Sequence, residues 1–162
     1  MRSVSYYAVA RHFADAVIAV SNQITSLVTR YEGWSESDVH VVYHGTRDRK
    51  TDGERARSEL CAARDIPPTA FVVGTVGRLI RLKGHRFAID SLRQLLDRGH
   101  SVHWIFVGDG PERDAIEAHA RCSGVCDYLH FLGYRDDVPR LLSAVDVMVH
   151  PSVGEAFGIV LV

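Results

Sequence analysis

The chain lacks an excess of either charge. Lys and Arg together number 19, Asp and Glu 20, and the net charge is −1. A nucleic-acid binder shows a basic stripe, and none runs through this sequence, so nucleic acid is not an expected partner. Cysteine is scarce. Cys61, Cys122 and Cys126 are odd in number and build no disulfide framework, which suggests free thiols in a reducing compartment. Cys122 and Cys126 lack the second pair or the histidines of a zinc hook, so no metal site is expected. No apolar run approaches the ~20 residues that span a bilayer. Met1–Arg2 leads to Tyr6 and Tyr7, not to an apolar core with a small-residue cleavage site, so a cytoplasmic protein is expected. Internal repeats and low-complexity stretches are absent.

What is present is a globular composition, 46% hydrophobic and 24% charged, over 162 residues. Short apolar runs alternate with amphipathic stretches. Strands are predicted at Ala16–Val20, Val39–Tyr43, Phe71–Val76, Val102–Val107, Tyr128–Leu132 and Asp146–Val149. Helices are predicted after Ser21 as N-cap, over Glu54–Ala63 and Gly84–Asp97, after Pro111, over Val138–Ala144, and from about Ala156. The polar stretch His44–Gly53 has no periodicity and reads as a linker. Strands alternating with helices across short loops predict an α/β fold, a parallel sheet covered by helices on both faces. Right-handed crossovers then gather the loops that follow strands along one edge, where ligands bind in open α/β sheets.

Three such loops carry chemistry. Gly77-Arg78-Leu79-Ile80-Arg81-Leu82-Lys83-Gly84 lies between a strand and a helix. Arg78 and Lys83 can converge across a turn, and a guanidinium fork beside a compact ammonium suits a diphosphate. A solvated basic loop is the plainer alternative. Gly108-Asp109-Gly110-Pro111 is not a dinucleotide fingerprint, because position 113 is Arg where a third glycine is required. Pro151–Ile159 joins a strand to the last predicted helix. Amides at Phe157, Gly158 and Ile159 in a first helical turn would favour an anion. Glu155 could cap that helix or accept hydrogen bonds from sugar hydroxyls. The nine histidines do not cluster at ligand spacing. His150, beside Pro151 at a strand end, is the one placed to face a cleft.

The ordered set Val20-Ser21, His44-Gly45-Thr46, Gly77-Arg78 with Lys83-Gly84, Gly108-Asp109-Gly110-Pro111, Phe131-Leu132-Gly133, Asp146 and Pro151-Ser152 with Gly154-Glu155-Ala156-Phe157-Gly158 resembles the family 4 (group 1) retaining glycosyltransferases. The resemblance runs from about Ala14 to the end. It implies a GT-B fold, two facing Rossmann-like domains, of which this chain holds the second, donor-binding one in truncated form. Residues 1–48 would be a remnant of the acceptor-side domain with a linker, and 49–162 the nucleotide-sugar domain, incomplete at its C-terminus.

By the same resemblance, Arg78 and Lys83 hold the donor diphosphate, Gly77 lies near the transferred sugar, and Gly133, Tyr134 and Arg135 frame the base. Glu155 matches the first Glu of a Glu-x7-Glu motif and touches the sugar. The second Glu falls one residue past Val162. Arg78, Lys83 and Glu155 are the expected catalytic residues, and Phe157, Gly158 and Ile159 join them in donor binding. The chain has no Asp-x-Asp, which agrees with metal-free donor binding. The implied activity is hexosyl transfer with retention, the fragment alone being inactive. The expected partner is a nucleoside-diphosphate sugar. No further cofactor is expected, the acceptor is undefined, and peripheral membrane association belongs to the full-length parent. A non-catalytic nucleotide-sugar-binding module shares the same residues. A nucleotide-sugar epimerase needs carboxylates and a histidine that appear here in no recognisable order. A dehydrogenase needs the missing fingerprint.

Overall fold

The computed structural model describes residues 12–46 and 51–161. The chain divides into two compact units, Met1–Arg47 with Glu155–Val162, and Asp48–Gly154. Expectations for residues 1–11 and for 47–50 of the linker lie outside the described residues.

In the first unit, β1 (Val17–Ala19) leads to α1 (Asn22–Glu32), which returns to β2 (Val39–Val41), paired parallel to β1. Ser21 caps α1 as its sequence predicts, its side chain accepting from the Ile24 amide at 3.3 Å. The core here is small: Ala19, Trp34 and Val39, with Ile24 and Val28 against them. Phe13, Ile18, Tyr31, Val42 and Tyr43 are exposed.

The second unit holds a four-stranded parallel sheet in the order β5-β4-β3-β6. Its strands are β3 (Phe71–Val76), β4 (Val102–Val107), β5 (Leu129–Gly133) and β6 (Val147–Met148). The helices are α2 (Gly53–Arg64), α3 (His85–Asp97), α4 (Arg113–Cys122) and α5 (Val138–Leu142). Alternation along the strands sorts the core into two layers. Val73, Trp104 and Phe106 face Ala88, Ile89 and Leu92 of α3 and Ile116 and Ala120 of α4. Val72, Ile105 and Val107 face Ala56, Leu60 and Cys61 of α2 and Leu141 of α5. Helices thus cover both faces, as the sequence pattern requires.

One buried bridge ties the layers to the end of β6. The Trp104 indole donates to the Thr75 hydroxyl at 3.0 Å, and that hydroxyl donates to the Val149 carbonyl at 2.9 Å. At the opposite end of β6, the Asp146 carboxylate accepts from the Val72 amide and from Arg57.

One helix departs from expectation. No α-helix begins at Ala156. The segment passes through Gly158 at φ 76°, a left-handed conformation that an α-helix cannot contain, and only then forms a 3-10 turn over Ile159–Leu161. The Phe157 and Gly158 amides therefore precede this turn, and no α-helical first turn gathers them with that of Ile159. All three cysteines are free, and no described helix is long and apolar enough to cross a membrane.

Candidate functional site

Strand order locates the site. From β3 the chain adds β4 and then β5 on one side, and only afterwards places β6 on the other side of β3. The direction of strand addition reverses between β3 and β6. In an open parallel sheet the crevice beyond the C-terminal ends at such a reversal is the ligand position. Two loops flank it, residues 77–84 after β3 and 149–154 after β6.

The loop after β3 is held on both sides by backbone. Towards β4, the Leu79 amide donates to the Asp109 carbonyl at 3.0 Å, and the Glu112 amide donates to the Leu79 carbonyl at 3.0 Å. Leu79 itself is completely buried and anchors the loop in the core. Towards β6, the Leu82 carbonyl accepts from the Val153 amide at 2.9 Å and from the Ser152 hydroxyl at 3.2 Å.

Two glycines permit this. A Cβ on Gly84, at φ 68°, would stand 2.1 Å from the Pro151 carbonyl oxygen. A Cβ on Gly108, at φ 136°, would stand 2.1 Å from the Gly77 carbonyl oxygen. Three strand ends thus meet backbone to backbone. Gly77 donates to the Val107 carbonyl at 2.9 Å, and Gly108 donates to the Gly133 carbonyl at 2.7 Å.

On this frame the expected residues fall as follows. Gly77, Arg78 and Lys83 share the loop after β3. The Lys83 stem lies across Gly77, within 4 Å of where a Cβ would stand. Arg78 is exposed, and no carboxylate neutralises it among the described residues, whereas Arg55, Arg57, Arg93, Arg113, Arg135 and Arg140 each meet one. Gly133 closes β5, two strands from β3. Tyr134 follows with 82% of its surface exposed. Arg135 is committed to Asp137 through a two-pronged pair, both contacts at 2.8 Å. That pairing raises the guanidinium's pKa and lowers the carboxyl's.

Glu155, Phe157, Gly158 and Ile159 belong to the other unit. There the Glu155 carboxylate accepts from the Ala156 amide at 3.2 Å. The Phe157 ring packs on Tyr43 and His44, and the Ser21 hydroxyl donates to the Ala156 carbonyl at 2.7 Å.

One further residue belongs to the local run of basic residues Arg78, Arg81, Lys83, His85 and Arg86. His85, first in α3, is 2% exposed, and neither ring nitrogen has a hydrogen-bond partner. Its ring meets Phe106 edge-on at 5.0 Å. Burial, reinforced by the charges of His150 and Lys83, pushes its pKa down to about 4. His85 is therefore neutral at pH 7, and His150 and Lys83 sit close enough to act on it. Among the described residues no group of three or more His, Cys, Asp or Glu could hold a metal ion.

Comparison with known proteins identifies the fold and the family. A family model described as "Glycosyl transferases group 1" matches residues 70–162. The chain is 38% identical over 89 residues to the 2-deoxystreptamine glucosyltransferase of Streptomyces kanamyceticus, covering 54% of this chain and 23% of that protein. It is 31% identical over 164 residues to the D-inositol 3-phosphate glycosyltransferase of Salinispora tropica, covering 91% of this chain and 34% of that one. Among solved structures, Anabaena HepE in complex with UDP and glucose superposes with a TM-score of 0.83 at 30% identity, over 93% of this chain and 42% of HepE. WaaG, a glycosyltransferase involved in lipopolysaccharide biosynthesis, shares the fold with a TM-score of 0.76 at 24% identity, over 89% of this chain and 40% of that one. The α/β sheet with helices on both faces is thus that of the GT-B glycosyltransferases. The chain spans well under half the length of these proteins. With more than half of its residues inside the family match, the chain belongs to the group 1 glycosyltransferases.

Proposed function

We propose that the chain is the donor-binding part of a family 4 glycosyltransferase, and that a nucleoside-diphosphate sugar occupies the crevice between β3 and β6. The observation that carries this is the loop after β3. It brings an unneutralised guanidinium, Arg78, and the ammonium of Lys83 to the reversal point of the sheet, on backbone held at both ends. HepE, similar over nearly the whole chain, was solved with UDP and glucose, which makes UDP the first nucleotide to test.

In this reading Arg78 and Lys83 bind the diphosphate. As the anomeric bond breaks, negative charge gathers on the departing nucleoside diphosphate. Two preplaced cations stabilise that charge as it forms, the role a metal would otherwise fill. Gly77, without a side chain, lets the donor sugar approach the backbone. Gly133, Tyr134 and Arg135 frame the base, Glu155 accepts from sugar hydroxyls, and the Phe157, Gly158 and Ile159 amides add donors for the phosphates. Hexosyl transfer with retention and without metal follows from the family resemblance. In this reading residues 1–48 are assigned to the acceptor-side domain and linker, and 49–162 to the donor domain.

Calorimetric titration with UDP, GDP and ADP tests the assignment. Arg78→Ala and Lys83→Ala should each weaken nucleotide binding by ~1–3 kcal/mol, the cost of a charge-assisted hydrogen bond. Unchanged affinity in both variants removes the diphosphate from this loop.

A further inference from the structure

The basic residues Arg78, Arg81, Lys83 and Arg86 do not form one patch. The chain makes a 3-10 turn over Arg81–Lys83 and reverses at Gly84 in the left-handed region. On one side of that turn lies a cavity of about 720 Å³ between the starts of α3 and α4. Arg81 and Arg86 line it, and Arg78 and Lys83 do not. The turn has divided the cations between two places.

Several features of the cavity point to a ligand. Neither Arg81 nor Arg86 meets a carboxylate among the described residues, although Glu112 and Asp90 line the same space. Asp90 is already occupied, accepting from His119 at 2.7 Å when that ring carries the proton. The 13-residue α3 starts here without a side-chain cap and with no acidic residue in its first turn; the Phe87 amide donates to the Gly84 carbonyl at 2.9 Å, which leaves the His85 and Arg86 amides as the open donors of the helix start. His85, 2% exposed, borders the cavity with both ring nitrogens shut off from solvent. Phe87, 58% exposed, supplies an apolar wall. The volume falls within the range of small-molecule sites, about 300–1,000 Å³.

We propose that this cavity is a second anion site, taking a small polyhydroxy compound that carries a phosphate or carboxylate, such as a sugar phosphate. Arg81, Arg86 and the first amides of α3 hold the anionic group. Glu112 accepts from hydroxyls, and Phe87 covers an apolar face of the ring. The site is independent of the donor reading.

The chain is titrated with glucose 6-phosphate, glucuronate, glucose and inorganic phosphate. Glucose 6-phosphate or glucuronate should bind at least tenfold more tightly than glucose or phosphate. Arg86→Gln and Phe87→Ala, both surface changes, should each weaken that binding severalfold, with Arg86→Gln losing at least tenfold. UDP affinity should be the same in Arg86→Gln as in the parent chain, and UDP should not displace glucose 6-phosphate. Four results overturn the proposal. Neither anionic sugar binds; Arg86→Gln binds as the parent chain does; phosphate alone binds as tightly as the sugar phosphate; or UDP competes, returning the anion to the Arg78–Lys83 loop. Failure of UDP to bind the parent chain overturns the donor reading and leaves this one standing.

Discussion

Gly84 is the most direct test of how the site is held. Replacing it with Ala does two things that can be separated. It forces an L-residue to φ 68°, and it puts a methyl 2.1 Å from the Pro151 carbonyl oxygen. The first costs about 1 kcal/mol, the ordinary penalty for an L-side chain in the left-handed region. The second is harder to relieve, because the neighbour is backbone. Comfortable non-bonded separations are about 3.5 Å, so the loop after β6 must retreat by more than ~1 Å. Strain of this kind costs about 1–3 kcal/mol. The expected total is about 3 kcal/mol.

Gly99 provides the control. It sits at φ 80° with nothing within 4 Å of a built Cβ, so Gly99→Ala carries the conformational penalty alone, about 1 kcal/mol. Urea denaturation of the two variants beside the parent chain measures the difference, expected near 2 kcal/mol. Gly84→Ala should also weaken UDP binding, because Lys83 precedes it. Equal destabilisation by the two substitutions refutes the argument that close backbone approach, and not glycine's flexibility, is what position 84 requires.

Two further outcomes follow from the core. His85 and His130 are both depressed to about 4, mainly by burial, so the unfolded chain takes up protons between roughly pH 6.5 and 4 that the folded chain does not. Stability should be level above about pH 6.5 and fall as pH drops towards 4, with His85 contributing up to about 3 kcal/mol. Urea midpoints across that window should show a shallower slope in His85→Phe, and an unchanged slope refutes the assignment. Thr75→Val keeps the shape of the side chain but strands the Trp104 indole and the Val149 carbonyl, at a cost of about 2–4 kcal/mol. Thermal melting should show this loss, and Thr75→Ser should recover most of it.

Sequence disclosed the fold where burial dictates pattern. Phe71–Val76 and Val102–Val107 are continuous apolar runs because helices cover both faces of their sheet, and both strands have the predicted bounds. Strand and helix ends elsewhere move by a residue or two, at the start of β5 because a 3-10 turn occupies Cys126–Tyr128. Ser21 was legible because a cap is a local interaction. The helix expected at Ala156 was not, because glycine is compatible with a helix or with its interruption, and Gly158 takes the second course. The loop residues Gly77, Arg78 and Lys83 could be read from type and spacing. The division of the cations could not, since it depends on the direction the chain takes at Gly84. The burial of His85 was not legible, because burial at a helix start is set by the packing of Phe106 beneath it.

The way the loop is held bears on why Arg78 and Arg81 meet no carboxylate among the described residues. A loop fixed through side chains would spend its polar groups on its own structure, as Arg135 does with Asp137 and Arg57 does with Asp146. Residues 77–84 are fixed instead by main-chain hydrogen bonds and by the buried Leu79. Gly84 and Gly108 contribute by having no side chain to keep the neighbouring strand ends apart. Arg78, Arg81 and Arg86 are thereby released from structural duty on a rigid backbone. Cations fixed in advance lose little freedom on meeting an anion, so the attraction is not offset by the cost of ordering a mobile loop. The same backbone frame that would place a diphosphate at the strand reversal therefore leaves the guanidinium groups beyond the turn at Gly84 available to a second anion.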